Sequence, residues 1–181
     1  MRIFFDVDTQ KDFMNQDGAL YVPGAEEIKP NLRLLTQYAL EYGIRVWGSL
    51  DSHSESDEEL QRNGGLFPDH CIFGTEGQEK IPETEALNHF WYFSKQSYDI
   101  FSNPQFIVNL IGKGVTSAVV YGVATDYCVK AAVLGMQERG IQCFVVLDAI
   151  AGVDIATVKI AFNLMQEAGA KLVIAKDIIN E

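Results

Sequence analysis

The stretch Thr116-Ser-Ala-Val-Val-Tyr-Gly-Val-Ala-Thr-Asp-Tyr-Cys128 decides the fold. Its first half is a β-rich apolar run without polar alternation, the pattern of a strand covered on both faces. The run breaks at Gly122 and turns helical. Val129, Ala132, Val133 and Met136 then fall at i, i+3, i+4 and i+7, one apolar helix face that closes at Gly140. Cys128 therefore sits in the first turn of a helix that follows a buried strand. Unpaired N–H groups and the positive dipole end there favour thiolate over thiol. A buried helical cysteine is more often only a small apolar residue, so its partners must decide.

Outward from this unit the alternation repeats. Ile3–Val7, Ile44–Leu50, His89–Phe93, Ser117–Tyr121, Gln142–Leu147 and Lys171–Ala175 read as six strands. Between them lie a helical stripe over residues 26–42, blurred at its start by Pro30, and a helix opened by Asn103-Pro104 and closed at Gly112. Another is capped by Asp154, with Ile155, Val158, Phe162 and Met165 on one face. Continuous apolar strands separated by helices predict a three-layer α/β/α fold, with a mostly parallel six-stranded sheet. Residues 51–88 are the exception, polar and punctuated by Gly and Pro. A stretch of that length without clear elements is usually functional.

A chain of 181 residues reads as one domain, 1–181, able to bury a core without disulfides. Cys71, Cys128 and Cys143 are odd in number and lack CxxC spacing, which points to a reducing, cytoplasmic setting. No apolar run spans a membrane, and Asp6 interrupts any signal-peptide core. A formal net charge of −11 argues against nucleic acid as a partner.

In a doubly wound sheet, ligands bind beyond the carboxyl ends of the strands. Those ends carry Asp6-Val7-Asp8, Asp51-Ser52-His53, Ser94-Lys95 and Asp126-Tyr127-Cys128. An attacking thiolate needs a proton acceptor and a nearby cation, roles open to Asp8 and Lys95. Asp51 and His53, two apart, can converge on one ion, with His70 and the acids at 55, 57, 58 and 59 close in sequence. Such a donor set suits Zn²⁺, Fe²⁺ or Mn²⁺. His89, ahead of an aromatic strand, reads as structural. Cys71 beside His70 is a candidate oxidation-sensitive thiol, whereas Cys143 in a strand should be inert.

Five motifs in order resemble the isochorismatase-like cysteine hydrolases, most closely the nicotinamidases: Phe5-Asp-Val-Asp8-Thr-Gln-Lys-Asp-Phe13, Asp51-Ser-His53, Phe67-Pro-Asp-His70-Cys71, Lys95 ahead of Tyr98 and Phe101, and Gly122-Val-Ala-Thr-Asp-Tyr-Cys128. The resemblance implies a triad of Asp8, Lys95 and Cys128. It also implies a cis peptide between Val123 and Ala124, and an oxyanion hole from the amides of Ala124 and Cys128. It further implies one divalent metal ion, Zn²⁺ with Mn²⁺ or Fe²⁺ as alternatives, held by Asp51, His53 and His70. Many members carry a further histidine where this chain has Glu59, so Glu59 would be the fourth ligand unless Glu58 or Asp57 takes that place. Phe13 and Phe67 match positions that sandwich the substrate ring. The implied reaction converts nicotinamide, or a close aromatic amide, to the acid and ammonia. The alternative is a metal-free cysteine hydrolase of another small amide or ureido compound. Relatives of this kind suggest a homo-oligomer. A thiol-based redox protein and a non-catalytic interaction module are the readings from other classes.

Overall fold

The computed structural model describes residues 1–85 and 90–180. Its sheet contains β1 (Arg2–Val7), β2 (Val46–Asp51), β3 (Phe90–Lys95), β4 (Ser117–Val123), β5 (Gln142–Ala151) and β6 (Lys171–Val173). The order is β3-β2-β1-β4-β5-β6, and every neighbouring pair is parallel. β1 is central, so Ile3, Phe4, Phe5 and Val7 are all buried. That is why its sequence does not alternate.

Helices cover both faces. α2 (Ala25–Glu41) and α6 (Ala175–Ile179) close one, with Ile28, Leu32, Leu35 and Ile178 packed on Phe4, Val119 and Tyr121. α3 (Pro104–Gly112), α4 (Lys130–Glu138) and α5 (Ile155–Glu167) close the other, around Phe5, Trp47, Phe106, Val133 and Met165. The expected caps are present. Asn103 accepts from the N–H groups of Gln105 and Phe106, and Asp154 from those of Ala156 and Thr157.

Three boundaries depart from the sequence reading. The α2 helix starts at Ala25 and runs through Pro30, which forgoes the bond that would reach back to Glu26. Ala175–Ile179 forms α6 after a short β6, and Lys11–Met14 forms a one-turn helix, α1. Both are too short to show periodicity. The expectation that His89 is structural falls outside the described residues. Among the described residues, no helix is long and apolar enough to cross a membrane.

One close approach sets the geometry at the sheet's carboxyl edge. Gly122 pairs with Val7 across β4 and β1 and has φ +114°. A Cβ there would lie 2.1 Å from the Val7 carbonyl oxygen, so only glycine lets the two strands meet.

Candidate active site and metal centre

Three strand ends deliver the first group of side chains. Asp8 follows β1 with φ 47°, in the left-handed region, and its carbonyl accepts from the Gln10 N–H at 2.7 Å. Lys95 ends β3, in register with Asp51 at the end of β2. Cys128 lies in a wide π-type turn, Thr125–Val129, between β4 and α4. The Lys95 Nζ is 2.8 Å from Asp8 Oδ2, 3.0 Å from Asp51 Oδ1 and 3.6 Å from Cys128 Sγ. The peptide between Val123 and Ala124 is cis, as the motif resemblance implied. Ala124 and Cys128 line the same cavity.

Burial opposes the Lys95 ammonium, but Asp8, Cys128 and Asp51 outweigh it and raise its pKa well above the usual value. The thiol behaves differently from the expectation drawn from its helix position. Burial pushes Cys128 well above the ordinary thiol range, and Lys95 only partly opposes this because Asp8 and Asp51 add negative charge nearby. Here burial works against the thiolate more strongly than the helix terminus favours it. Asp8 stands beside the thiol, paired with the same Lys95 ammonium that reaches Cys128 Sγ.

The second group adjoins the first through Asp51, which Lys95 also contacts. One donor atom each from Asp51, His53 and His70 lies within 4.8 Å of the others. Asp51 Oδ2 is 3.2 Å from His53 Nε2 and 3.4 Å from His70 Nε2. Each ring's other nitrogen has its own acceptor: His53 Nδ1 lies 3.0 Å from Asp57 Oδ2, and His70 Nδ1 lies 2.7 Å from the Pro68 carbonyl. An N–H on each Nδ1 leaves the two Nε2 lone pairs aimed at a carboxylate oxygen. Three donor atoms that close together can share a cation, or a proton where none is bound. The residues therefore fit a divalent metal, with outer partners that fix both rings. Burial would raise the Asp51 carboxyl, but Lys95 and both imidazoles hold it far below the carboxylate range. Burial likewise works against an imidazolium at His53, yet Asp51 and Asp57, with the charge of Glu59, raise its pKa.

Glu59 is not one of the three converging residues. It lines the cavity, where burial and then the charge of Asp51 raise its carboxyl pKa. Asp57, weighed from the sequence as a substitute ligand, instead engages His53 Nδ1 and the Ser54 N–H. Phe13 and Phe67 both stand beside the His70 ring, with centroids 5.6 and 6.1 Å away. The cavity they share with Cys128 measures about 130 Å³. Tyr98, Tyr127 and Val153 also line it, although the sequence reading gave them no binding role. Their places in the motifs after Lys95, before Cys128 and beyond β5 were the available signal.

Residues 51–85 are tied to β1 by Gln10. Its side chain exchanges two hydrogen bonds with the Asp51 backbone, at 2.7 and 2.8 Å, and donates a third to the Gln78 carbonyl at 2.9 Å. On the opposite side, buried Asp126 accepts from the N–H groups of Val153 and Asp154 and from the Thr157 hydroxyl. It thereby fixes the β5–α5 loop beside the Cys128 turn.

The isochorismatase domain family matches residues 3–177. The chain belongs to the isochorismatase family. This isochorismatase-like hydrolase is 28% identical to a nicotinamidase/pyrazinamidase of Mycobacterium tuberculosis, over 96% of this chain and 98% of that protein. It is also 28% identical to a nicotinamidase of Escherichia coli, over 92% and 91%. Among solved structures it resembles a pyrazinamidase of Pyrococcus horikoshii in complex with zinc, with a TM-score of 0.89 and 29% identity, covering 96% of this chain and 98% of that one.

Proposed function

We propose that this isochorismatase-like hydrolase is a nicotinamidase. The observation that carries the reading is the placing of two groups around one ring-sized cavity. Asp51, His70, Phe13, Phe67 and Cys128 line it, and behind them Lys95 joins Asp8, Cys128 and Asp51 while His53 completes the Asp51–His70 cluster. The sequence relatives that cover nearly the whole chain carry nicotinamidase names, which supports the same substrate class.

Cys128 Sγ attacks the amide carbonyl carbon as its proton passes to Asp8. The Lys95 ammonium stabilises the sulfur as charge develops on it, and holds the Asp8 carboxylate in place. The amides of Ala124 and Cys128 receive the oxyanion. Asp8 returns the proton to the amide nitrogen and ammonia leaves, giving a thioester. Water then attacks the thioester while Asp8 takes one of its protons; the C–S bond breaks as Asp8 returns that proton to sulfur, and the acid gives its remaining proton to solvent, leaving nicotinate and the free Cys128 thiol. Asp51, His53 and His70 would hold the metal, which when bound supplies a Lewis-acidic position for the ring nitrogen. Phe13 and Phe67 confine the ring, so that its carboxamide faces Cys128. Glu59 is available as a further oxygen donor toward the ion, and zinc is the first choice for a site with two imidazoles and one carboxylate. The proposal also includes a cytoplasmic setting and assembly into homo-oligomers.

The test is ammonia release from nicotinamide and a panel of other small amides, before and after chelation, with Cys128→Ala as control. Nicotinamide turnover that needs both metal and Cys128 is the expected result. Metal-replete enzyme that leaves nicotinamide intact would overturn the reading. Turnover of another amide, undiminished by chelation, would favour the metal-free alternative.

A further inference from the structure

A second buried ion pair lies behind the first. Asp6 is fully buried and Lys80 is 8% exposed, and their Oδ2 and Nζ atoms are 2.8 Å apart. Lysine is almost never buried without a partner, and removing one partner strands a charge. The hydroxyl of Thr9 completes the arrangement. It donates to Asp6 Oδ1 at 2.8 Å and accepts from Lys80 Nζ at 2.9 Å. Its only proton being spent on Asp6, the contact of 2.7 Å to Thr84 must be donated by Thr84. The Lys80 ammonium also lies 5.4 Å from the centre of the Tyr92 ring.

This pair has no place in the chemistry derived above, yet Asp6 and Asp8 are only two residues apart on the strand that carries the proton acceptor. Two buried carboxylates thus stand near two buried ammonium groups, Asp6 with Lys80 and Asp8 with Lys95. The other groups facing Asp6 are the hydroxyls of Thr9 and Thr84 and the phenols of Tyr92 and Tyr121. Burial, reinforced by the charge of Asp6, keeps both phenols neutral. Neither can replace Lys80 as a counter-ion.

We propose that Lys80 is a positioning residue, which by pairing with Asp6 keeps that carboxylate from competing with Asp8 for the Lys95 ammonium, and so preserves the charge arrangement around Cys128. The inference rests on the proposed roles of Asp8, Lys95 and Cys128. Without Lys80, the buried Asp6 carboxylate loses its partner ammonium two residues from Asp8. With Lys80 but without the Asp6 charge, an uncompensated ammonium is left beside the strand that leads to Asp8. The two single changes should therefore act with opposite sign, which loss of packing alone would not produce.

The readout is the rate at which iodoacetamide alkylates Cys128 in the intact protein, located by peptide mass spectrometry and measured well below each variant's thermal midpoint. It requires no knowledge of the substrate. Lys80→Met should slow alkylation about tenfold, the size of one uncompensated charge at buried separations. Asp6→Asn should leave it at or above the parent rate. Lys80→Arg and the double variant Asp6→Asn/Lys80→Met should stay within about threefold of the parent, since both balance the charge. If Lys80→Met does not fold, Asp6→Asn and the double variant still decide. Slower alkylation in Asp6→Asn, or a double variant as slow as Lys80→Met, would overturn the proposal. Parent protein that alkylates normally but leaves nicotinamide intact would count against the nicotinamidase reading and not against Lys80.

Discussion

Replacing Gly122 by alanine should damage stability and turnover together. The added Cβ would fall 2.1 Å from the Val7 carbonyl oxygen, whereas ordinary contacts begin beyond 3.4 Å. Something must therefore move by roughly 1 Å, and both candidates for movement are the β1 and β4 backbones. The φ of +114° is itself costly for an L-residue, about 1–3 kcal/mol. Overpacking adds about 1–3 kcal/mol. A combined loss near 4 kcal/mol, with a urea dependence of about 2 kcal/mol per molar, lowers the unfolding midpoint by about 2 M. Val7 immediately precedes Asp8, and Gly122 leads through Ala124 to the Cys128 turn. A 1 Å misplacement of reacting groups can cost about a hundredfold in rate. Urea titration and kcat for nicotinamide, measured on the folded fraction, check both effects. A midpoint within about 0.5 M of the parent, with kcat within about threefold, would refute the reasoning.

Three further outcomes follow from other parts of the site. Asp57→Ala should leave all three donor residues in place yet weaken metal binding about 10–100-fold, because His53 loses the partner that fixes its ring; competition with a calibrated chelator measures it. Asp126→Ala removes three hydrogen bonds that hold Val153, Asp154 and Thr157, and should cost about 2–4 kcal/mol while raising KM through a loosened cavity wall; chemical denaturation and steady-state kinetics report the two effects. The pH dependence of the metal-free protein has a definite sign. The pKa of His53 is raised above 6.5, so its contribution is complete below about 6.5 and fades as pH climbs through the folded value. Asp51 is lowered from 3.8, so its contribution is complete above about 4 and fades as pH falls further. Stability of the chelated protein should therefore be greatest between about pH 4 and 6.5 and decline above it, while metal affinity rises over that same upper range as His53 gives up its proton. Urea midpoints of chelated protein at about pH 5, 6.5 and 8 would show a flat or rising trend if the assignment were wrong.

Much of this site was legible because parallel sheets put their strand ends in one place. Reading the polar residues after each apolar run was enough to nominate Asp8, Asp51, His53, Lys95 and Cys128, and His70 stood out as the other histidine of the polar stretch after β2. The surroundings of Cys128 were less legible, because the helix terminus is visible in sequence whereas the burial that opposes its thiolate comes from the tertiary fold. Glu59 and Asp57 were hard to rank for a related reason. Both lie in an irregular loop, where no periodicity says which carboxylate faces which imidazole. Lys80 was invisible altogether. Between Glu79 and Ile81 a lysine reads as solvated, and only the tertiary fold brings it over Asp6.

The central position of β1 has a consequence for how the protein comes into being. β1 is flanked on one side by β2 but on the other by β4, which begins only at Ser117. Its apolar side chains and the two carboxylates at its end must therefore wait for β4 to be made before they are enclosed. Closing so distant a parallel pairing is entropically slow. Nascent chains cut off before β4 should be unable to bury Ile3, Phe5 and Val7, and would be the species that chaperones capture. The candidate site cannot exist in part, because the Cys128 turn directly follows β4, the strand that completes the sheet around β1.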